Sequence, residues 1–159
     1  MQQYNDIVMD HFRNPRNMGE IKNPDGVGRV GNMRCGDVMY VYIRVGTRIK
    51  DQSNLAKATL GKKSKVKGSN IKDNDKLETE EYIKDIKFKT LGCAAAISAS
   101  SMLTELAKGR SLKEAEEISR DDINDALGKL PTPKYHCSIL SADGIKKAIE
   151  DYKSRRKIR

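Results

Sequence analysis

Three stretches in the chain alternate apolar and polar positions in the way that predicts β-strands. They span 28–33, 38–45 and 82–90. The second stretch is rich in β-branched and aromatic residues, and in the third Ile86 and Phe88 share one side while charged residues interleave between them. This pattern predicts a sheet that is covered on one face and exposed to water on the other.

The other periodic segments have helical spacing. The first predicted helix spans 4–12 with Asn5 or Asp6 as N-cap, and an alanine-rich helix over 94–108 is closed by Gly109. A short helix is capped by Ser111 with Glu114 three residues on, and another runs from Asp121 or Asp122 to Gly128. The last predicted helix spans about 138–153 and has one buried stripe, formed by Ala142, Ile145, Ile149 and Tyr152. Residues 130–134 are expected to be extended. Strands followed by helices, without alternation, predict an α+β fold in which a three-stranded antiparallel sheet packs against four to five helices.

The segment 46–81, between the second and third strands, differs from the rest of the chain. It has many lysines and no aromatic residue. Such a sequence cannot bury enough apolar surface to offset the entropy lost on ordering. We therefore expect a long, lysine-rich, mobile hairpin insertion within a single domain that spans 1–159, because closing a long loop costs little more than closing a short one.

The formal net charge of +9 at first suggests a nucleic-acid partner. The excess lysines and arginines, however, concentrate in residues 48–72 and in a basic tail, 153–159. A nucleic-acid interface requires a basic stripe on the folded body, preferably with stacking aromatic residues, and the sequence pattern does not predict one. We therefore assign the basicity to two appendages and do not expect nucleic-acid binding.

Several features indicate a cytoplasmic protein. No stretch approaches the roughly 18 apolar residues that a membrane span requires. The N-terminal residues lack the basic leader and apolar run of a secretory signal. Three widely spaced cysteines are an odd number, which argues against a disulfide framework and favours a reducing compartment.

All three cysteines lie at the ends of predicted elements. Cys35 falls in the turn between the first two strands, and Cys93 and Cys137 fall where helices begin. Helix N-termini stabilise a thiolate relative to a thiol. The cysteines are therefore predicted to be ligands or nucleophiles rather than small buried apolar side chains.

Two further ligand types flank these cysteines. Asp37 follows Cys35 by two residues and would share its face on a strand, and His136 directly precedes Cys137. Three thiolates with one carboxylate or imidazole satisfy the four-coordination of zinc or of an iron–sulfur cluster. A hard carboxylate would hold a cluster less firmly than a fourth thiolate, which suits delivery. The other histidine, His11, is predicted to be structural.

Four motifs follow one another along the chain, and they lie at 4–19, 30–39, 88–97 and 130–138. They include Cys-Gly-Asp, then Gly-Cys, then His-Cys, and their joint occurrence in this order is specific. In these motifs the chain resembles the IscU-type family of iron–sulfur cluster scaffold proteins, which is related to the N-terminal domain of NifU. The resemblance covers nearly all of the chain outside 46–81.

The resemblance implies a compact domain whose cysteines converge at one exposed end. It implies that a cysteine desulfurase supplies persulfide sulfur, that a [2Fe–2S] cluster forms from this sulfur and iron, and that the cluster passes to acceptor apo-proteins. The chain would then be a scaffold and not an enzyme. The implied ligands are Cys35, Cys93 and Cys137, with Cys137 also the persulfide acceptor. Asp37 would be a ligand or the group that keeps the cluster labile, and His136 a competing or accessory ligand.

The resemblance leaves some points open. Zinc would occupy the site in the cluster-free form, and a homodimer could share the cluster. The segment 46–81 replaces what is usually a short turn in the family. The Leu-Pro-Pro-Val-Lys motif that an Hsp70-type chaperone binds in bacterial members is Leu-Pro-Thr-Pro-Lys at 130–134 here, so the resemblance does not extend to that chaperone.

Two alternative functions remain from the sequence. One is a zinc-bound sulfur acceptor that relays persulfide. The SufU-type relatives with that activity carry an insertion between their second and third cysteines and lack the histidine before the third, and this chain has neither trait. The other alternative is a nucleic-acid-associated protein that uses the lysine-rich segment and the basic tail.

Overall fold

The computed structural model describes residues 4–33, 36–50 and 78–158. Within these ranges the three antiparallel strands are β1 (Gly26–Asn32), β2 (Asp37–Ile49) and β3 (Thr79–Leu91), in the order β1-β2-β3. The α-helices are α1 (Asp6–Arg13), α2 (Ala94–Ala107), α3 (Leu112–Glu116), α4 (Arg120–Ala126) and α5 (Tyr135–Lys157). The predicted α+β fold is confirmed.

One face of the sheet forms the floor of the core. On this face the side chains are fully or almost fully buried, and they are Val30, Met39, Val41, Ile43, Ile83, Ile86 and Phe88. The helices α2 and α5 cover them. Burying each such side chain contributes about 1.5–3 kcal/mol relative to leaving it in water. The one-sided sheet predicted from the alternation of Ile86 and Phe88 with charged residues is therefore confirmed.

Two glycines allow α5 to lie directly on β1. A Cβ atom at Gly28 would be 2.1 Å from the carbonyl oxygen of Gly144 and 2.7 Å from the backbone nitrogen of Ala148. A Cβ atom at Gly144 would in turn be 2.4 Å from Cε of Met39. Because α5 carries two of the predicted site residues in its first turn, this close packing also fixes their position relative to the sheet.

Side-chain caps define three of the helix starts. Asn5 caps α1, and Ser111 forms a capping box with Glu114 at α3, both as predicted. The predicted start of α4 at Asp121 or Asp122 is wrong, because Ser119 is the N-cap and accepts a hydrogen bond from the backbone N–H of Asp122. Asp122 is a residue of the helix and not its N-cap. Its carboxylate accepts a hydrogen bond from the backbone N–H of Ser119 and so completes the capping box.

The predicted insertion, 46–81, begins too early and ends too late. Its first four residues belong to β2 and its last three to β3, where they pair in register. Polar contacts between the strands stabilise this part of the ladder: Arg48 bonds Glu80 at 2.6 Å and lies over the ring of Tyr82. Residues 51–77 lie outside the described residues, so their predicted mobility stays a prediction.

The last helix is longer than predicted at both ends. It begins three residues before the predicted start and runs through position 157, so most of the predicted tail, 153–159, is helix. Lys153 bonds Glu116 of α3 at 2.6 Å, and Arg156 bonds Glu81 of β3. The assignment of these charges to an appendage is therefore wrong, because they lie on the folded body and pair with it.

Candidate metal centre

Four of the five predicted site residues meet at one end of the sheet. Asp37 is the first residue of β2, Cys93 is the N-cap of α2, and His136 and Cys137 lie in the first turn of α5. The sulfur atoms of Cys93 and Cys137 are 4.0 Å apart, and the Cys137 sulfur is 3.9 Å from a carboxylate oxygen of Asp37. One ligand atom each from Asp37, His136 and Cys137 lies within 4.8 Å of the other two.

The fifth predicted residue, Cys35, lies outside the described residues. Its neighbours in the chain flank the site: Gly36 has a φ of +72° in the turn between β1 and β2, and its N–H donates to the carbonyl of Asn32 at 2.9 Å. Asp37 follows at once. The described residues on either side, Met33 and Gly36, therefore lie at the same end of the sheet as the other four residues.

Burial changes the chemistry that the sequence predicted for Cys137. Its side chain is 1% exposed, and burial, the neighbouring Cys93 and the carboxylate of Asp37 raise the pKa of the Cys137 thiol. The expectation that a helix N-terminus would favour the thiolate here is wrong, because burial, the largest cause, favours the neutral thiol and Cys93 and Asp37 act in the same direction. A metal ion that binds this sulfur would have to displace its proton.

Lys134 supplies positive charge beside the sulfurs. It is the N-cap residue of α5, at the end of a 3₁₀ turn over Thr132–Lys134 that replaces the extended conformation predicted for 130–134. The neighbouring Cys93 sulfur raises the pKa of the Lys134 ammonium group through its electrostatic interaction with it. The sequence pattern did not predict this residue to be part of the site, and its position before His136-Cys137 was the available signal.

The imidazole of His136 has a free buried nitrogen. Its Nε2 atom is buried and has no hydrogen-bond partner among the described residues. A buried nitrogen of this kind is costly unless a donor or a cation satisfies it. One ring nitrogen of His136 also lies within 4.8 Å of the Asp37 carboxylate and the Cys137 sulfur, so a metal ion fits this donor set. Thiolate and imidazole ligands with one carboxylate are chemically suited to iron or zinc.

Gly92 brings β3 and the start of α2 close to Asp37. A Cβ atom at Gly92 would be 2.9 Å from Oδ1 of Asp37 and 2.9 Å from Cβ of Ala96. The glycine therefore provides the space in which the Asp37 carboxylate, 5% exposed, lies against the backbone just before Cys93.

His11 has the structural role that was predicted for it. Its ring is 4% exposed, with Nδ1 2.8 Å from the hydroxyl of Ser101 and Nε2 3.5 Å from Glu105. These contacts join α1 to α2.

Among the helices in the described ranges, none has the length and apolar character needed to cross a membrane.

Comparison with known proteins finds a matching family model and similar proteins. The chain matches the family model described as "NifU-like N terminal domain" over residues 3–61 and 50–159. It is 47% identical over 149 residues to the iron–sulfur cluster assembly scaffold protein IscU 1 of Archaeoglobus fulgidus, covering 94% of this chain and 76% of that protein. It is 42% identical over 156 residues to the protein of the same description, IscU, from Escherichia coli K12, covering 96% of both.

The fold also has a solved counterpart. The N-terminal NifU-like protein of Brucella abortus aligns with a TM-score of 0.57 at 15% identity, over 95% of this chain and 94% of that one. At this identity the likeness concerns the fold alone. The family match over almost the whole chain and the two relatives above 40% identity establish more: this chain belongs to the NifU-like N-terminal domain family, together with the IscU proteins.

Proposed function

We propose that this chain is a scaffold on which an iron–sulfur cluster is assembled and from which the cluster passes to acceptor proteins. The observation that carries the proposal is the meeting of Cys93, Cys137, Asp37 and His136, with 4.0 Å between the two sulfurs. Relatives at 47% and 42% identity that are named as cluster assembly scaffolds support it. The role is that of a carrier and not of an enzyme.

The cargo in this proposal is a [2Fe–2S] cluster. The thiolates of Cys35, Cys93 and Cys137 bind it, and either Asp37 or His136 provides the fourth ligand. Asp37 is the better candidate for keeping the cluster labile, since its oxygen is a hard donor beside soft sulfurs. In the cluster-free form the same donors hold zinc.

Sulfur enters from a cysteine desulfurase. Cys137 attacks the terminal sulfur of the persulfide on the donor; a new sulfur–sulfur bond forms on Cys137 while the donor's bond breaks, and the donor leaves as a thiolate. The 1% exposure of Cys137 means that the first turn of α5 has to open for this step. Its raised pKa means that a proton has to leave, and the Lys134 ammonium group stabilises the negative charge that develops nearby.

The setting follows from the chemistry of the cargo. A labile thiolate-bound cluster requires a reducing compartment, so we place the chain in the cytoplasm, with acceptor apo-proteins as further partners. Two copies of the chain can share one cluster in this proposal. Native mass spectrometry of the cluster-loaded protein would identify such a dimer.

The test is anaerobic reconstitution of the full chain with iron and sulfide. The parent is expected to give a stable [2Fe–2S] absorption spectrum, and each of the variants Cys35→Ser, Cys93→Ser and Cys137→Ser is expected to lose it. Iron and sulfide content should fall in parallel. Ser154→Ala, an exposed substitution on the same helix as Cys137, controls for the effect of mutation itself, and far-UV circular dichroism checks that each variant is folded.

Two outcomes would contradict the proposal. If two of the three cysteine variants assembled a normal cluster, the cysteines would not share one site. If the parent bound zinc and accepted persulfide sulfur but formed no iron cluster, the chain would be a zinc-bound sulfur relay instead.

A further inference from the structure

The start of α5 carries two candidate ligands but has little local support. Among the described residues no side chain caps this helix start, so its first backbone N–H groups are not held by a cap. The residues before it form a 3₁₀ turn of only three residues, Thr132–Lys134, and the hydrogen-bond geometry of such turns is poorer than that of an α-helix. Contacts with other parts of the fold therefore have to hold the turn that positions His136 and Cys137.

Asn124 of α4 bonds both ends of the segment that leads into α5. Its side-chain N–H donates to the hydroxyl of Tyr135 at 2.9 Å, and its side-chain oxygen accepts from the backbone N–H of Leu130 at 2.8 Å. The N–H of Leu130 requires an acceptor, which fixes the amide with its NH₂ group toward Tyr135. Asn124 is 2% exposed, so water has little access to compete for these bonds. We call the pair Asn124 and Tyr135 the α4–α5 clamp.

The end of α4 that bears this clamp is itself held by the start of α1. The side-chain N–H of Asn5 donates to the carbonyl oxygens of Leu127 at 2.8 Å and of Gly128 at 3.0 Å. The backbone then reverses through Gly128 and Lys129, both with a φ of +70°, and the N–H of Lys129 returns to the carbonyl of Asn124 at 2.9 Å. The clamp therefore rests on a part of the fold that other bonds keep in place.

The position of Tyr135 relates the clamp to the sulfur chemistry of the site. Tyr135 and Cys137 are two residues apart and lie in the same turn of α5, since one turn contains 3.6 residues. Cys137 is 1% exposed, so a sulfur donor reaches it only after this turn opens. An opening of the turn that exposes Cys137 also separates the Tyr135 hydroxyl from Asn124. The bond between them therefore opposes exposure of the sulfur.

We propose that Asn124 and Tyr135 are positioning residues that set how often Cys137 is exposed to a sulfur donor. This inference rests on the proposed function for the identity of the reaction, but not for the exposure itself. Local openings of this kind have their own free energies, separate from that of global unfolding. The bound state of the clamp keeps the turn closed, and the populated fraction of the open turn limits the rate at which Cys137 reacts.

Two probes measure the exposure of Cys137 in the metal-free full chain under anaerobic conditions. Iodoacetamide alkylates a thiolate with loss of iodide. Glutathione persulfide gives its terminal sulfur to a thiolate: a sulfur–sulfur bond forms on the cysteine, the donor's sulfur–sulfur bond breaks, and glutathione leaves as a thiolate. Peptide mass spectrometry follows the modified fraction at each cysteine separately over time.

The variants remove one hydroxyl at a time from the same helix. Tyr135→Phe removes only the hydroxyl of the clamp. The matched control, Tyr152→Phe, removes a hydroxyl that donates to Glu81 at 2.7 Å near the other end of α5. Asn124→Ala and the double variant Asn124→Ala/Tyr135→Phe complete a double-mutant cycle, which isolates the interaction between the two residues.

Tyr135→Phe should speed modification of Cys137 by both probes roughly two- to tenfold, the range expected when one hydrogen bond of the closed turn is lost. Tyr152→Phe should stay close to the parent, and the rate at Cys93 should be unchanged in both variants. Asn124→Ala should speed modification of Cys137 at least as much. Adding Tyr135→Phe to it should change little more, because the two residues act through one bond.

Urea separates opening of one turn from global unfolding. A single turn exposes little surface, so the rate at Cys137 in the parent should stay nearly constant up to about 1 M urea, well below the unfolding transition. Reconstitution with iron and sulfide should give Tyr135→Phe a normal cluster, because no proposed ligand is changed. That measurement tests the proposed function separately from the clamp.

Three results would overturn the clamp proposal. One is modification of Cys137 in Tyr135→Phe at the rate of the parent. Another is equal acceleration in Tyr135→Phe and Tyr152→Phe, since a loss of overall stability would then explain both. A third is a parent rate that rises with urea as steeply as the unfolding equilibrium, which would mean that Cys137 is exposed only by global unfolding. Failure of the parent to form a cluster, with the expected thiol rates, would instead contradict the proposed function alone.

Discussion

Replacing Gly28 by alanine tests the close contact between β1 and α5. The added Cβ atom would be 2.1 Å from the carbonyl oxygen of Gly144, whereas ordinary contacts begin near 3.4 Å. The helix would therefore have to move away from the sheet by about 1 Å. Overpacking typically costs about 1–3 kcal/mol, and we expect about 3 kcal/mol because a backbone carbonyl cannot rotate out of the way as a side chain can.

For a chain of this size, a loss of about 3 kcal/mol lowers the melting temperature by about 6–12 °C. Thermal unfolding of the metal-free protein, followed by circular dichroism, measures this shift. The matched control is Gly31→Ala on the same strand, where the nearest atom to the new Cβ is 3.5 Å away. The control should melt within about 2 °C of the parent. Equal melting temperatures for Gly28→Ala and Gly31→Ala would refute the argument that this contact limits the side chain.

Three further predictions concern the site, the segment between β2 and β3, and the response to acid. Asp37→Ala should retain its cluster longer and transfer it several-fold more slowly to apo-ferredoxin, because the exchangeable carboxylate is gone; if His136→Ala alone changes the transfer half-time, the labile ligand is the histidine. Replacing residues 51–77 by a tight Asn-Gly hairpin should leave the melting temperature and cluster assembly intact, and a large drop in melting temperature would show that the segment packs on the body. Hydrogen bonds from the backbone and side chain of Ser111 lower the pKa of the Glu114 carboxyl group in the folded protein. The Glu114 carboxylate therefore stabilises the fold fully at pH values above its unfolded pKa of about 4.3. This contribution is lost as the pH falls through the lower folded pKa. Glu114→Gln should therefore reduce the free energy of unfolding at neutral pH, and urea titrations should find the difference from the parent shrinking below about pH 4.

Much of the fold follows from short-range sequence information. The alternation around Ile86 and Phe88 is a local property, and it predicted both the strand and its buried face. Asn5 and Ser111 are followed by residues that complete their caps within three positions, so these helix starts were predictable as well. The motifs around Cys93 and Cys137 are equally local, and their order along the chain was enough to indicate the family.

Other boundaries depended on contacts between distant residues. The ends of β2 and β3 are polar, and their pairing rests on the register of two strands and on the contact of Arg48 with Glu80, which is 32 residues away in the sequence. The extension of α5 through position 157 depends on pairing with Glu116 and Glu81. No periodic pattern predicts such pairs, because each residue alone is an ordinary charged surface residue.

Local sequence patterns indicated which residues have ligand chemistry and placed them at the ends of elements. They did not determine the environment of these residues. Only the tertiary structure brings Cys137 within 4.0 Å of the Cys93 sulfur, buries it to 1% exposure and adds the charge of Lys134. The pKa of a thiol depends on the solvent and the charges around it, which come here from β2, α2 and α5 together. For this reason the local helix-terminus argument gave the wrong direction for Cys137, although it identified the right residue.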